Sequence, residues 1–445
     1  MAIKSLSGTD ITQRTGTSSS GVETSVKFVI TCDQCFADGS IIELLSGATN
    51  QPDLLLYSAG TKVSGTRVKY AGCFFEAPHF HPSLIRATRL PKTATDYGSL
   101  RELVNNIADH FCRLQNFAER EAKLLAAFSV TTWVSDRLWF APSLIICGPD
   151  EGVHVLRLLS CFCRRALMLA DLNPAGFRKI PADVHFSLLL TQPNMTNSMR
   201  RLLGASAYKG LHLLGNAGVV ADLFCSKAVF CGMDLENVVD DAIHIFVEPG
   251  QLSDAIDERE QCLIAEEFQP KLLNFRLQNL AGVQSRKVDL PKFAGPLRQV
   301  AMNLAACFCE DPELRRELYS LLSPQDQEFR DKQAGAVEHA IVEILMGLLH
   351  KAQITNVPVN EIARLANALQ RSRGQILNFN HEEVGWKLKT MGIQRHRTSS
   401  GSVVKFDLAT RVQVHRLARI YSAVTEISDA ERCPQCRTEE ATVDK

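Results

Sequence analysis

No uninterrupted apolar run in this 445-residue chain approaches the roughly 18 residues needed to cross a membrane. Residues 1–25 lack the apolar core behind a basic start that a signal peptide requires; rich in Ser, Thr and Gly, they read as a disordered leader. Excess charge is missing too, because 49 Lys and Arg balance 49 Asp and Glu. Affinity for a polyanion must therefore come from a local patch. The expectation is a soluble cytoplasmic protein with no membrane partner.

Paired metal-binding motifs are also lacking. Among the fourteen cysteines, Cys32/Cys35 and Cys433/Cys436 have C-x-x-C spacing, with Cys73, His79 and His81 near the first pair. The two pairs lie at opposite ends of the chain and neither has a second pair beside it. They read as isolated loop cysteines, with a zinc site as the alternative in which Cys73, His79 and His81 supplement the first pair, and no metal is assigned. Cys147, Cys161, Cys163, Cys225, Cys231, Cys307 and Cys309 sit inside apolar runs, where a reduced thiol behaves as a small hydrophobe.

What is present begins with a strand, loop and helix. Ser143 to Cys147 is a continuous apolar run ending at Gly148-Pro149-Asp150-Glu151-Gly152-Val153-His154-Val155, and Val155, Leu156, Leu158, Leu159, Phe162 and Cys163 recur at helical spacing. A phosphate-binding loop G-x-x-x-x-G-K-[ST] occupies that place in nucleotide enzymes. Counted from Gly148, its second glycine falls on Val153, its lysine on His154 and its magnesium-ligating hydroxyl on Val155. A histidine with an ordinary pKa of about 6.5 is largely neutral at pH 7. Asp150 and Glu151 further oppose an anion at the helix start. The loop reads as a degenerate nucleotide site formed by Gly148, Pro149, Asp150, Glu151, Gly152 and His154.

A second position departs in the same way. The run from His185 to Pro193 reads as a buried strand ending at Thr191-Gln192, where a P-loop enzyme carries an acidic pair for metal and water. Neither neutral side chain replaces a carboxylate base. No catalytic residue is assigned. Arg200 and Arg201 read as a solvated helix face or a charge-stabilising finger, and Lys227 as a phosphate sensor at a strand end or an ordinary edge residue.

Alternating apolar runs and turns divide the chain into a leader (1–25), a β-rich domain (26–96), and a helical lead-in with an α/β core (97–250). A helical connector (251–350), a C-terminal domain (351–421) and a tail (422–445) follow. Within 351–421, a helix over 359–369, a second helix capped by Asn380 and stopped at Gly392, and two strand-like runs around 398–402 make a winged-helix pattern. From 359 to 421 there are eleven basic residues against four acids, a difference of +7. Lys387 and Lys389 fall on the second helix and Arg395, Arg397 and Lys405 flank the wing, a layout suited to DNA phosphates. Five such contacts predict that log affinity falls with log salt at a slope near −4.5.

Residues 100–421 resemble helicase-like P-loop ATPases encoded by phages, plasmids and integrated mobile elements, some of them fused to primases. The shared features are the helical lead-in, Gly148-Pro149, Cys163 to Leu167, Ala170-Asp171-Leu172, Ser226 to Val229 and the C-terminal pattern. The resemblance implies a RecA-like or AAA+-like P-loop core, ring or filament assembly, and work on DNA. With the phosphate and metal groups replaced, the expected role is a non-hydrolysing DNA-binding or assembly module in replication or regulation. One alternative is an active NTPase, with ATP and Mg2+, in which His154 and Asp171 or Arg200/Arg201 substitute for the lost groups. Another is a protein-interaction scaffold.

Overall fold

The computed structural model describes residues 11–13, 27–48, 51–192, 195–214, 220–232, 241–251, 256–283, 293, 295–335, 337–350, 354–374, 378–399, 401–421 and 423. Cys433 and Cys436 lie outside the described residues. The chain divides into two compact units, Met1–Ser323 and Pro324–Lys445.

Among the described residues, the first unit opens with eight short strands: β1 (Ile11–Gln13), β2 (Lys27–Ile30), β3 (Gln34–Cys35), β4 (Ile41–Leu45), β5 (Asp53–Ser58), β6 (Thr61–Gly65), β7 (Arg67–Tyr70) and β8 (Cys73–Glu76). They form two four-stranded sheets, β1-β2-β8-β7 and β3-β4-β5-β6. Helix α1 (Pro82–Ala87) and the lead-in helices α2 (Leu100–Gln115) and α3 (Glu119–Thr132) follow. Ser99 and Glu102 cap α2 reciprocally, satisfying two of the amide donors that a helix start leaves open. The stripe Leu103, Val104, Ile107, Ala108 and Phe111 is buried.

The core then alternates β9 (Ser143–Cys147), α4 (Val153–Phe162), β10 (Ala166–Ala170), α5 (Pro174–Phe177), β11 (Ser187–Thr191) and α6 (Asn197–Ala205). A hairpin of β12 (His212–Leu214) and β13 (Val220–Asp222) precedes β14 (Lys227–Phe230) and β15 (Ile243–Phe246). Five of these strands make a wholly parallel sheet in the order β10-β11-β14-β9-β15. Strands buried on both faces explain the near-continuous apolar runs that mark them. Helix α7 (Glu258–Asn279) carries Pro270 in its interior and packs on α4, where the Gln269 amide donates to the Cys161 and Cys163 carbonyls at 2.9 and 3.1 Å. Helices α8 (Gly295–Cys307) and α9 (Pro312–Gly335) follow, α9 running across the boundary between the units.

The second unit contains α10 (Val337–Leu349), β16 (Asn356–Pro358), α11 (Val359–Ser372), α12 (His381–Thr390), β17 (Arg395–Thr398), β18 (Gly401–Lys405) and α13 (Leu408–Ile420). Its strands form a small antiparallel sheet, β16-β18-β17. Ile341, Leu345, Ile362, Ala366, Val384, Leu388, Val404 and Val414 share one core. Buried Asn367 braces the approach to α12, donating to the Phe379 carbonyl at 2.9 Å and accepting from its N–H at 2.7 Å. No described helix is long and apolar enough to cross a membrane.

Candidate functional site

In the parallel sheet, β9 and β14 are neighbours, yet the next core strand after β9 is β10 at one edge and the next after β14 is β15 on the other side. Open α/β sheets bind ligands outside the C-terminal ends of strands whose connections part in this way. The Gly148 loop stands there. Its Gly148 N–H donates to the Gly232 carbonyl at 3.0 Å, and below it the Cys147 and Cys231 sulfurs are 3.4 Å apart.

The loop lies against the protein. Asp150–Gly152 forms a single 3-10 turn, closed by the Gly152 N–H donating to the Pro149 carbonyl at 2.9 Å, and it runs directly into α4. A Cβ on Gly152 would fall 2.4 Å from the Phe230 ring, so the glycine lets the loop rest on that ring. Asp150 and Glu151 are exposed. At the lysine position, the His154 carbonyl accepts from Gln115 at 2.7 Å, while its ring Nδ1 is buried with no partner among the described residues. Burial, followed by repulsion from Arg157, lowers the His154 pKa, with Glu151 opposing.

At the end of β11, Gln192 is a structural brace. Its side-chain oxygen accepts from the Leu172 N–H at 2.9 Å, and its own N–H donates to the Phe230 carbonyl at 2.8 Å. Thr191 is half-buried, and its carbonyl accepts from the Asp171 N–H at 3.0 Å. Asp171 is exposed with a left-handed backbone, φ 49°. On α6, Arg201 is exposed and Arg200 donates to Asn197 within its own helix at 3.1 Å.

Neither sequence reading of Lys227 holds. It begins β14, in register with Ser143 and Leu188, and so lies at the opposite end of the sheet from the Gly148 loop. It is also interior, 1% exposed, and its Nζ has no hydrogen-bond partner among the described residues. Burial pushes its pKa down to about 8.

One buried polar assembly of the first unit went unread in the sequence. Asp33, Glu43, Asp136, Arg164, Arg165 and Arg276 form an ionic cluster that joins the N-terminal strands, the lead-in, the core and α7. Arg164 reaches Asp33 and Glu43, both at 2.7 Å; Arg165 reaches Asp33 at 2.7 Å and also pairs with Glu43. Arg276 reaches Glu43 and Asp136, both at 2.6 Å. Burial alone would raise the carboxyl pKa values, but the facing guanidinium groups hold Asp33, Glu43 and Asp136 below the ordinary carboxylate range. The available signal was single charges embedded in apolar runs: Glu43 within Ile41–Leu45, Arg164-Arg165 before β10, and Arg276 within α7.

The cysteines divide as their surroundings dictate. Cys147, Cys161, Cys163, Cys231 and Cys307 are buried, and Cys225 and Cys309 are half-buried. Burial raises the Cys32 and Cys35 thiols to about 12 and about 11. His81 is occupied at the start of α1, where its Nδ1 accepts from the Ser83 N–H. Among the described residues no three His, Cys, Asp or Glu side chains are grouped to hold a metal ion.

In the second unit, the structure separates cations that are internally paired from cations that are not. Arg364 pairs with Glu361, Arg373 with Glu343 and Lys387 with Glu338, while Arg411 donates to the Phe406 and Leu349 carbonyls. Lys387, expected on the phosphate-contacting face, is thus half-buried and paired. Lys389, Arg395, Arg397 and Lys405 are exposed and have no ion pair among the described residues. A Cβ on Gly385 would fall 2.4 Å from Arg395 Nη1, so this glycine lets the guanidinium cross α12.

No protein-family model and no curated protein matches the chain. Among solved structures, the C-terminal region of NrS-1 is similar with a TM-score of 0.35 and 11% identity, over 82% of this chain and 95% of that one. A full-length MCM homolog from Methanopyrus kandleri gives 0.30 and 12%, over 62% and 74% respectively. The Drosophila ORC bound to DNA gives 0.19 and 8%, over 76% and 97%. At these values the likenesses carry no argument about ligand or activity.

Proposed function

We propose that the chain is a non-hydrolysing relative of helicase-like P-loop ATPases that acts as a DNA-binding or assembly module. The observation that carries this reading is the Gly148 loop itself: it stands at the switch point of a parallel sheet, as a P-loop core requires, yet rests on Phe230. The residues around it do not suit ATP with magnesium. His154 replaces the lysine and is biased toward its neutral form, Val155 offers no metal ligand, and Asp150 and Glu151 add negative charge. Gln192, at the place of the acidic pair, is committed to backbone hydrogen bonds.

Calorimetry of the full chain with ATP, with and without Mg2+, is expected to give no saturable heat at micromolar concentrations. Micromolar binding abolished by His154→Ala would overturn the reading in favour of an active NTPase.

DNA contact is assigned to the second unit, whose helix, strand, helix, helix and hairpin order supports a winged-helix reading. With Lys387 bound to Glu338, four cations remain for phosphates, and the expected salt slope on duplex DNA becomes about −3.6. A salt-independent affinity would remove this assignment. Failure to bind both nucleotide and DNA would leave the scaffold reading.

A further inference from the structure

Charge is divided along α12. Its first turn carries Glu382 and Glu383, whereas Lys389 lies at its C-terminal end, and Arg395 and Arg397 follow on one face of β17. A helix that reads a duplex usually presents its N-terminal residues to the major groove. Here that end is acidic, and bringing it to the phosphate-lined groove would set like charges together. The exposed residues of α12 are His381, Glu382, Trp386, Lys389 and Thr390. They include no Arg, Asn or Gln, the side chains best shaped for paired hydrogen bonds to base edges.

In the cationic half stands Trp386, 59% exposed, although the adjoining Val384 and Leu388 are fully buried in the core of this unit. The Lys387 ammonium lies 5.2 Å from its ring centroid while bound to Glu338, and the Arg395 guanidinium crosses α12 at the neighbouring Gly385. An accessible indole among unpaired cations has the composition of a stacking platform, which holds unpaired bases by their faces and the backbone by charge.

We propose that this face binds single-stranded nucleic acid by stacking a base on Trp386, with Lys389, Arg395 and Arg397 on the backbone. The proposal rests on the DNA-contact reading above and names the form of nucleic acid that the site takes. Aromatic stacking tolerates any base, so little sequence preference is expected.

The test is fluorescence anisotropy of the full chain with a labelled oligo(dT) and a labelled hairpin duplex of similar length, across a salt series. Oligo(dT) is expected to bind more tightly than the duplex, with a slope of log affinity on log salt of roughly −2.1 for three contacts to a single strand. Trp386→Ala should weaken oligo(dT) binding roughly 5- to 150-fold. It should leave that slope unchanged, because no charge is removed. Trp386→Phe should retain most of the affinity, and unchanged thermal melts of both variants would separate lost stacking from lost folding. Tighter binding to the duplex, an equal loss on both ligands, or full affinity in Trp386→Ala would overturn the stacking proposal and leave DNA contact standing. Binding to neither ligand would remove the DNA-contact reading and this proposal with it.

Discussion

Glu43→Gln is expected to lower the stability of the first unit by about 3–5 kcal/mol, the range observed when one partner is removed from a buried ion pair. The substitution keeps the shape of the side chain but leaves Arg164, Arg165 and Arg276 with two carboxylates among three buried guanidinium groups. Desolvated cations without compensation cost more than the attraction that any one pair had contributed. Denaturant unfolding checks the magnitude, with the exposed substitution Glu102→Gln, which a capping box accepts at this position, as a control expected to cost far less. A loss no larger than the control's would show that the cluster does not hold the N-terminal strands to the core.

The same cluster sets a pH dependence. The folded pKa values of Asp33, Glu43 and Asp136 are depressed, so the unfolded chain binds their protons first as pH falls. Their stabilisation is complete above the unfolded carboxyl range of about 4 and is lost progressively below it. Acid titration of the wild-type chain should show this decline, and Glu43→Gln should show a shallower one because one of the three groups no longer titrates.

Lys227→Met is expected to raise stability. Buried without a hydrogen-bond partner among the described residues, Lys227 has a pKa of about 8 instead of 10.5. Below pH 8 both folded and unfolded states carry the proton, and the full penalty for burying the charge remains, on the order of 3 kcal/mol for a shift of this size. Between about 8 and 10.5 the unfolded chain alone keeps the proton, so stability rises with pH across that window. Methionine fills a similar volume and has no charge to desolvate. A higher melting temperature at pH 7, with a gain that shrinks toward pH 10, is the predicted result. A destabilised Lys227→Met would mean that the ammonium has a partner essential to the fold.

The parallel sheet was legible because its strands are buried on both faces, and a strand so placed admits few polar residues. Ser143–Cys147, Ser187–Thr191 and Lys227–Phe230 therefore stood out as apolar runs with helical segments between them. Cap and stop residues marked local boundaries equally well: Asn380 accepts from the Glu383 N–H at 2.7 Å, and Gly392 takes a left-handed φ of 75° just past α12. Such features depend on backbone groups within a turn of chain.

Long-range charge pairing was not legible. Glu43, Arg164 and Arg276 are separated by 121 and 112 positions, and nothing local to any of them names its partner. The basic C-terminal segment had the same defect, since eleven cations could be counted but not sorted. Only the fold shows that Lys387 is held by Glu338 while Lys389 and Arg397 stay exposed.

By itself the sequence determined the alternation of strands and helices in the core and the side chains available at the Gly148 loop and the end of β11: no lysine at His154, no hydroxyl at Val155, and no acid at Gln192. Residue type settles those questions, because chemistry that a side chain lacks cannot be supplied by its position. The tertiary structure decided what the remaining groups do. It laid the loop on Phe230, took Lys227 to the far end of the sheet, closed three carboxylates on three guanidinium groups and left Trp386 uncovered. Burial and charge partners are properties of residues brought together across the chain, and folding alone creates them.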